Sequence, residues 1–257
     1  METSLEELFQ DFIEHGHEHV LHHITADCAI FGYHGKQLKL LLIRWRGLGG
    51  WGLPGGYVQL DEGLDQAATR VTQERTSLHD LFLHQYHTFG SSHYRLHEQQ
   101  QMAAAFAAEL PADSWFFKRA VSVGYYALVD YERVSVRPDL FSDECRWWDV
   151  QALPPLLFDH QEMVTKALAT LRQQLYFQPI GRSLLAEKFT LPEIHALYET
   201  LLGRELNRRN FPQKLLTLGL IEKLDEQRSI GAHRSPFLYR FVPEVYAQAL
   251  QEGLVLV

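Results

Sequence analysis

The sequence predicts an α+β protein in two parts: a strand-rich N-terminal body and a C-terminal winged helix-turn-helix. Three observations carry this. First, apolar runs rich in Ile, Leu, Phe and Tyr flank a glycine-rich turn, Leu53-Pro54-Gly55-Gly56, that feeds a polar helix. Second, beyond Gln178-Pro179-Ile180-Gly181 the apolar period becomes short and helical, then closes on two strand-like runs. Third, charge divides at that joint. The chain carries a net charge of −8, but residues 180–257 hold ten Lys/Arg against nine Asp/Glu, and within 204–240 eight basic residues face four acidic ones. A locally basic segment on an acidic body suits a nucleic-acid module joined to a domain of another kind.

At 257 residues and 46% apolar, the chain suits one large or two modest domains. The joint sets them at 1–175 and 179–257. Cys28 and Cys145 make no disulfide framework, which points to a reducing compartment. The acidic start, METSLEELFQDFIEHG, lacks a signal peptide's basic n-region and apolar core. No window approaches a membrane span of about twenty apolar residues. The expectation is a cytoplasmic protein without a membrane partner.

In chain order, residues 4–14 predict an amphipathic helix with Leu5, Leu8, Phe9 and Phe12 on one side. His15, His17, His19, His22 and His23 follow. As a strand, 15, 17 and 19 put three imidazoles on one face, but a solvated arm is the favoured reading, and no metal is expected. Ile24–Tyr33 and Leu38–Trp45 form a hairpin around His34-Gly35. Leu64, Ala67, Ala68, Val71 and Leu78 recur at helical spacing, which gathers Glu62, Arg70 and Glu74 around the glycine turn. Phe82–Phe89 reads as a strand, Ser91–Phe117 as a polar insertion, and Arg119–Val129 and Cys145–Val150 as strands. Asp159 caps a helix at Gln161–Gln174.

Past the joint, Ser183–Phe189 reads as one helix. Thr190, Pro192 and Glu193 open a second as a capping box, with Ile194, Leu197, Tyr198 and Leu201 inward and Gly203 as its end. Asn207 caps a third, Arg208–Leu218, closed by Gly219. Two strands, Leu220–Leu224 and Phe237–Val242, complete the winged helix-turn-helix. With Phe211, Leu215 and Leu218 packed inward, Asn207, Arg208, Arg209, Asn210, Gln213 and Lys214 remain at the exposed end. Recognition helices present such residues to base edges. Arg228, His233 and Arg234 stand in the wing loop, within reach of phosphates or the next groove. The rival reading is a winged helix that binds only proteins.

The stretch Trp51–Leu78 resembles the Nudix box, G-x5-E-x7-R-E-U-x-E-E-x-G-U with U bulky and apolar. Gly56, Glu62 and Arg70 match its spacing. The rest departs: R-E-U-x-E-E is here Arg70-Val71-Thr72-Gln73-Glu74-Arg75, and the final glycine is Ser77. In active Nudix hydrolases those glutamates ligate magnesium, which demands oxygen donors. Val71 offers none and Arg75 offers a positive charge. At an effective dielectric near 20, unit charges about 4 Å apart interact by roughly 4 kcal/mol, so this exchange turns attraction into repulsion. The resemblance implies an α/β/α sandwich with a mixed sheet and no catalytic residues.

The broken box, PPLLFDHQEMV at 154–164, QPIG at 178–181 and the winged helix together resemble the Nudix-related transcriptional regulators, the NrtR/AraR-like family. The RVxxE form of the box is most similar to the Bacteroidetes branch that senses L-arabinose. The resemblance implies a homodimeric repressor on double-stranded operator DNA, needing no cofactor and released by a small sugar or sugar-nucleotide effector. The pocket it implies is lined by Asp27, Arg44, Gly56, Tyr57, Gln59, Glu62, Glu74 and Tyr125, polar groups suited to sugar hydroxyls. The alternatives are a regulator of NAD metabolism sensing ADP-ribose and a surviving Nudix pyrophosphohydrolase.

Overall fold

The computed structural model describes residues 4–78, 82–90, 96–106, 110–228 and 235–256. The chain folds into two compact units. Residues 1–31, 39–127 and 133–167 make the first, and 32–38, 128–132 and 168–257 the second. No described helix is long and apolar enough to cross a membrane.

The first helix, α1 (Leu5–His15), starts at a capping box: Glu7 N donates to Ser4 Oγ at 3.1 Å, and Ser4 N donates to Glu7 Oε2 at 2.8 Å. Its buried residues are Phe9 and Ile13, whereas Leu5 and Leu8 are 41% and 44% exposed. The expected face is therefore rotated. The cause is Phe9, which stacks on Phe106 at 4.1 Å and meets Phe116 edge-on at 5.7 Å. The histidine alternation also fails as a strand. His15 ends α1, residues Gly16–Glu18 form a 3-10 turn, and the first strand begins only at Val20. Among the described residues no His/Cys/Asp/Glu group has the makings of a metal site.

Strands β1 (Val20–His34) and β2 (Gln37–Trp45) form the hairpin, turning through Gly35 and Lys36 at φ 58° and 60°. They are followed by β3 (Trp51–Gly52), β4 (Gly55–Gln59), α2 (Leu64–Thr76), β5 (Phe82–Phe89), α3 (Leu96–Ala105), β6 (Val121–Val129), β7 (Ser142–Asp149) and α4 (His160–Gln174). The sheet runs β3-β2-β1-β6-β5, with β4 also on β1 and β7 also on β2. Unbroken apolar runs, Cys28–Phe31 and Leu40–Ile43, fill its buried interior, as expected of strands covered on both faces. Burial pushes the Cys28 thiol up to about 12, so it is an inert core residue. The 91–117 stretch is not merely a polar insertion. Met102, Ala103, Phe106, Phe116 and Phe117 join Phe9 and Ile13 in a separate hydrophobic cluster.

The second unit holds α5 (Leu191–Leu202), α6 (Asn210–Thr217), β8 (Ile221–Gln227), β9 (Phe237–Phe241) and α7 (Pro243–Glu252). At the start of α5, Glu193 Oε2 accepts from Thr190 N at 2.7 Å and from Thr190 Oγ1 at 3.0 Å, and Gly203 closes the helix at φ 67°. Leu197, Tyr198, Leu201, Phe211, Leu215 and Phe241 form its core. The expected helix over Ser183–Phe189 shrinks to one 3-10 turn, Arg182–Leu184. Phe189 instead exchanges backbone hydrogen bonds with Tyr239 at 2.9 and 2.7 Å, an isolated antiparallel bridge on the edge of β9. Sequence reading missed α7, whose Pro243 occupies the first helical turn, where a missing donor costs nothing.

Candidate functional site

The glycine turn and the second half of α2, through Arg70, Glu74 and Arg75, wall one side of a cavity of about 310 Å³ within the first unit. Its polar end is organised by Asp27 on β1, 8% exposed. Asp27 Oδ2 accepts from Thr25 Oγ1 at 3.0 Å and from Ser122 Oγ on β6. Opposite it in the β1–β4 register is Gly55, where any Cβ would collide with Asp27 Oδ1. The glycine is thus required by the carboxylate. His160, the first residue of α4, completes this end. Leu53 N donates to its Nδ1 at 2.9 Å, which places the ring proton on Nε2, 3.7 Å from Asp27 Oδ1.

Of the residues proposed from sequence, Asp27, Gly56, Tyr57, Gln59 and Glu74 line the cavity. Three others sit elsewhere. Glu62 is gripped by Arg70: Oε1 lies 2.6 Å from Nη2 and Oε2 3.0 Å from Nε, while Gln59 N also donates to Oε1 at 2.9 Å. The Arg70 hydrogen bonds, helped by that amide, hold the Glu62 carboxyl below the ordinary glutamate range. Arg44 lies on the sheet 3.7 Å from Asp143 and 3.8 Å from Glu144. The Tyr125 hydroxyl donates to Asp65 at 2.7 Å, and burial, then Asp65, pushes its pKa up.

Sequence reading missed the other walls. Phe12 from α1, Gln99 and Met102 from α3, Phe116 and Phe141 form an aromatic and apolar side, and Lys118 and Arg119 add positive charge. Arg75, 2% exposed, pairs with Asp139 and lines the cavity without being a free cation within it. The run Phe158-Asp159-His160 was visible as a segment, but only tertiary structure brings His160 to Asp27.

In the second unit, Asn207 Oδ1 accepts from Arg209 N at 3.0 Å and Asn210 N at 2.9 Å, so the Asn207 side chain caps rather than reaches outward. The helix itself begins at Asn210, two residues later than the sequence suggests, and leaves Arg208 and Arg209 in the approach to it. Arg208, Arg209, Asn210 and Gln213 are exposed and Lys214 half-buried, while Phe211 and Leu215 are buried. Arg228 is tied down: it pairs with Glu193 and donates to Lys188 O at 2.9 Å. His233 and Arg234 lie outside the described residues.

Comparison with known proteins bears on both units. A NUDIX domain model matches residues 21–168, and a model of the NrtR DNA-binding winged helix domain matches residues 181–241. The ADPR responsive transcriptional repressor NtrR of Acinetobacter baylyi is 29% identical over 230 residues, covering 87% of this chain and 83% of its own. The crystal structure of Shewanella oneidensis NrtR aligns at a TM-score of 0.67 and 28% identity, covering 87% of this chain and 96% of that one. The same protein complexed with a 27mer DNA aligns at 0.66 and 27% identity, covering 87% and 95%.

Proposed function

This chain belongs to the Nudix family and carries an NrtR-type winged helix domain, and we propose that it is a transcriptional repressor whose Nudix domain senses ADP-ribose. The single observation that carries the reading is the pairing of a ligand-sized cavity with a cationic helix start in one chain. Residues 1–175 act as the sensor and 179–257 as the DNA-binding domain. Arg208, Arg209, Asn210, Gln213 and Lys214 contact the operator, with Arg209 and Asn210 nearest the helix N-terminus, where base edges are read. A homodimer places two such helices on half-sites spaced by a multiple of about 10 bp.

The cavity's chemistry suits a sugar nucleotide: hydrogen-bonding groups at Asp27 and His160, cations at Lys118 and Arg119, and aromatic rings in the same lining. The L-arabinose reading gives way to the ADP-ribose alternative, because a repressor that aligns with 87% of this chain is named for its response to ADPR. The donor set does not fit the divalent cation that Nudix hydrolases use. Both oxygens of Glu62 are occupied by Arg70, Glu74 also faces Arg70 at 3.5 Å, and Arg75 belongs to Asp139. Binding without turnover is therefore the favoured role. Ligand alters DNA affinity only through different affinities for the DNA-competent and incompetent states.

The test is specific DNA binding to promoter duplexes upstream of the protein's own gene, at fixed salt, titrated with ADP-ribose and separately with L-arabinose. Release by ADP-ribose supports the proposal. Release by L-arabinose alone overturns the effector, and absence of specific binding overturns the function.

A further inference from the structure

The cavity wall contains polar atoms that the protein leaves unmet. Among the described residues, Trp45 Nε1 and Gln99 Oε1 are sealed from water and have no hydrogen-bond partner, and both residues line the cavity. Buried polar atoms are nearly always paired, so a donor and an acceptor left unmet at one cavity call for an explanation. Gln99 has a fixed orientation. Its Nε2 donates to Phe116 O at 2.8 Å, and a carbonyl accepts only from the nitrogen end of the amide, so the acceptor end is the one left over. Four aromatic rings, Phe12, Tyr57, Phe116 and Phe141, line the same cavity. Planar aromatic ligands pack well against such rings.

We propose that Gln99 reads the base of the bound nucleotide, its Oε1 accepting a hydrogen bond from an exocyclic amine, so that the cavity selects a 6-aminopurine over a 6-oxopurine. A 6-oxopurine presents a carbonyl oxygen there, which sets two acceptors against each other. Met102, one turn along the same helix, also lines the cavity and is unbranched and adaptable, so the wall beside Gln99 can adjust as the base enters. This rests on the ADP-ribose reading and deepens it. Gln99 lies in the 91–117 insertion, so that stretch carries the discrimination.

The experiment is calorimetric titration of the full chain with ADP-ribose and with its hypoxanthine counterpart. Wild-type protein is expected to bind ADP-ribose about tenfold more tightly, the scale of one buried hydrogen bond made or left unmet. This arm needs no variant. In Gln99→Met, similar in length and apolar, affinity for ADP-ribose falls and the preference shrinks to within about twofold. Equal wild-type affinity for the two ligands, or a preference that persists in Gln99→Met, overturns the inference alone. Wild-type protein that binds neither overturns the effector reading and this inference with it.

Discussion

Arg75 stands where the Nudix box carries a glutamate, and the obvious reversion, Arg75→Glu, is expected to cost stability without restoring hydrolysis. Arg75 is 2% exposed and paired with Asp139, which is itself fixed by Phe141 N at 3.1 Å and Ser142 Oγ at 2.5 Å. Breaking a buried ion pair by removing one partner costs about 3–5 kcal/mol, because the other charge, here an Asp139 side chain 23% exposed, stays largely out of water. Two carboxylates about 4 Å apart repel by roughly 4 kcal/mol at an effective dielectric of 20. That repulsion does not add in full, since one of the pair takes up a proton instead. For a chain of this size each kcal/mol shifts Tm by about 2–4 °C, giving a drop of ~6–20 °C. Scanning calorimetry reads the stability, and magnesium-dependent phosphate release from ADP-ribose reads the chemistry. An unchanged Tm, or a gain of turnover, refutes the assignment of Arg75 to the core.

Other perturbations separate the roles of neighbouring groups. Phe9→Ala removes a fully buried ring stacked on Phe106 and is expected to cost about 3–5 kcal/mol, visible as a lowered Tm. Arg209→Ala is expected to weaken operator binding and reduce the slope of log K against log salt by about 1, with Tm unchanged; an unaltered salt slope removes Arg209 from the interface. Glu62 has a folded pKa below its unfolded value, so its contribution to stability is fully present above the ordinary carboxylate range. It is lost as pH falls through the lowered value. The Tm difference between wild type and Glu62→Gln should therefore narrow between pH 7 and about 3, and a constant difference contradicts the ion pair.

Local signals in the chain were reliable where the cause was local. The Thr190–Glu193 capping box, the Gly203 stop and the β5 boundaries at Phe82 and Phe89 depend on neighbours in sequence, and each appears in the structure. The face of α1 was legible only in part: Phe9 and Phe12 pack inward as expected, but Leu5 and Leu8 are exposed, because the rings that set the helix's rotation, Phe106 and Phe116, come from about a hundred residues away. Ser183–Phe189 failed for the same reason: the pull on Phe189 is Tyr239, across the second unit. At the site, the motif placed Gly56, Glu62 and Arg70 together. It gave no hint that Asp27 would meet Ser122 and His160, since those three residues occupy three separate elements. Arg75 read as a charge set against a metal, whereas Asp139, invisible to the motif, makes it half of an internal pair.

The hairpin tip at 32–38 and the segment 128–132 fold with residues 168–257 although they belong to β1, β2 and β6 of the sheet. Thr200 Oγ1 donates to Lys36 O at 3.3 Å, and Ser183 Oγ donates to Leu128 O at 3.1 Å, so these pieces are stitched into the second unit by side chains of its own helical part. Excision at the Gln178-Pro179 joint would leave those pieces behind. A fragment beginning at 179 loses the segments that its helices pack on, and a fragment ending at 175 carries them bare. The two halves are therefore not interchangeable cassettes. Swapping either for a homologous part requires exchanging the hairpin tip and the end of β6 along with it, so modular shuffling of this architecture is expected to succeed only when the graft is discontinuous in sequence.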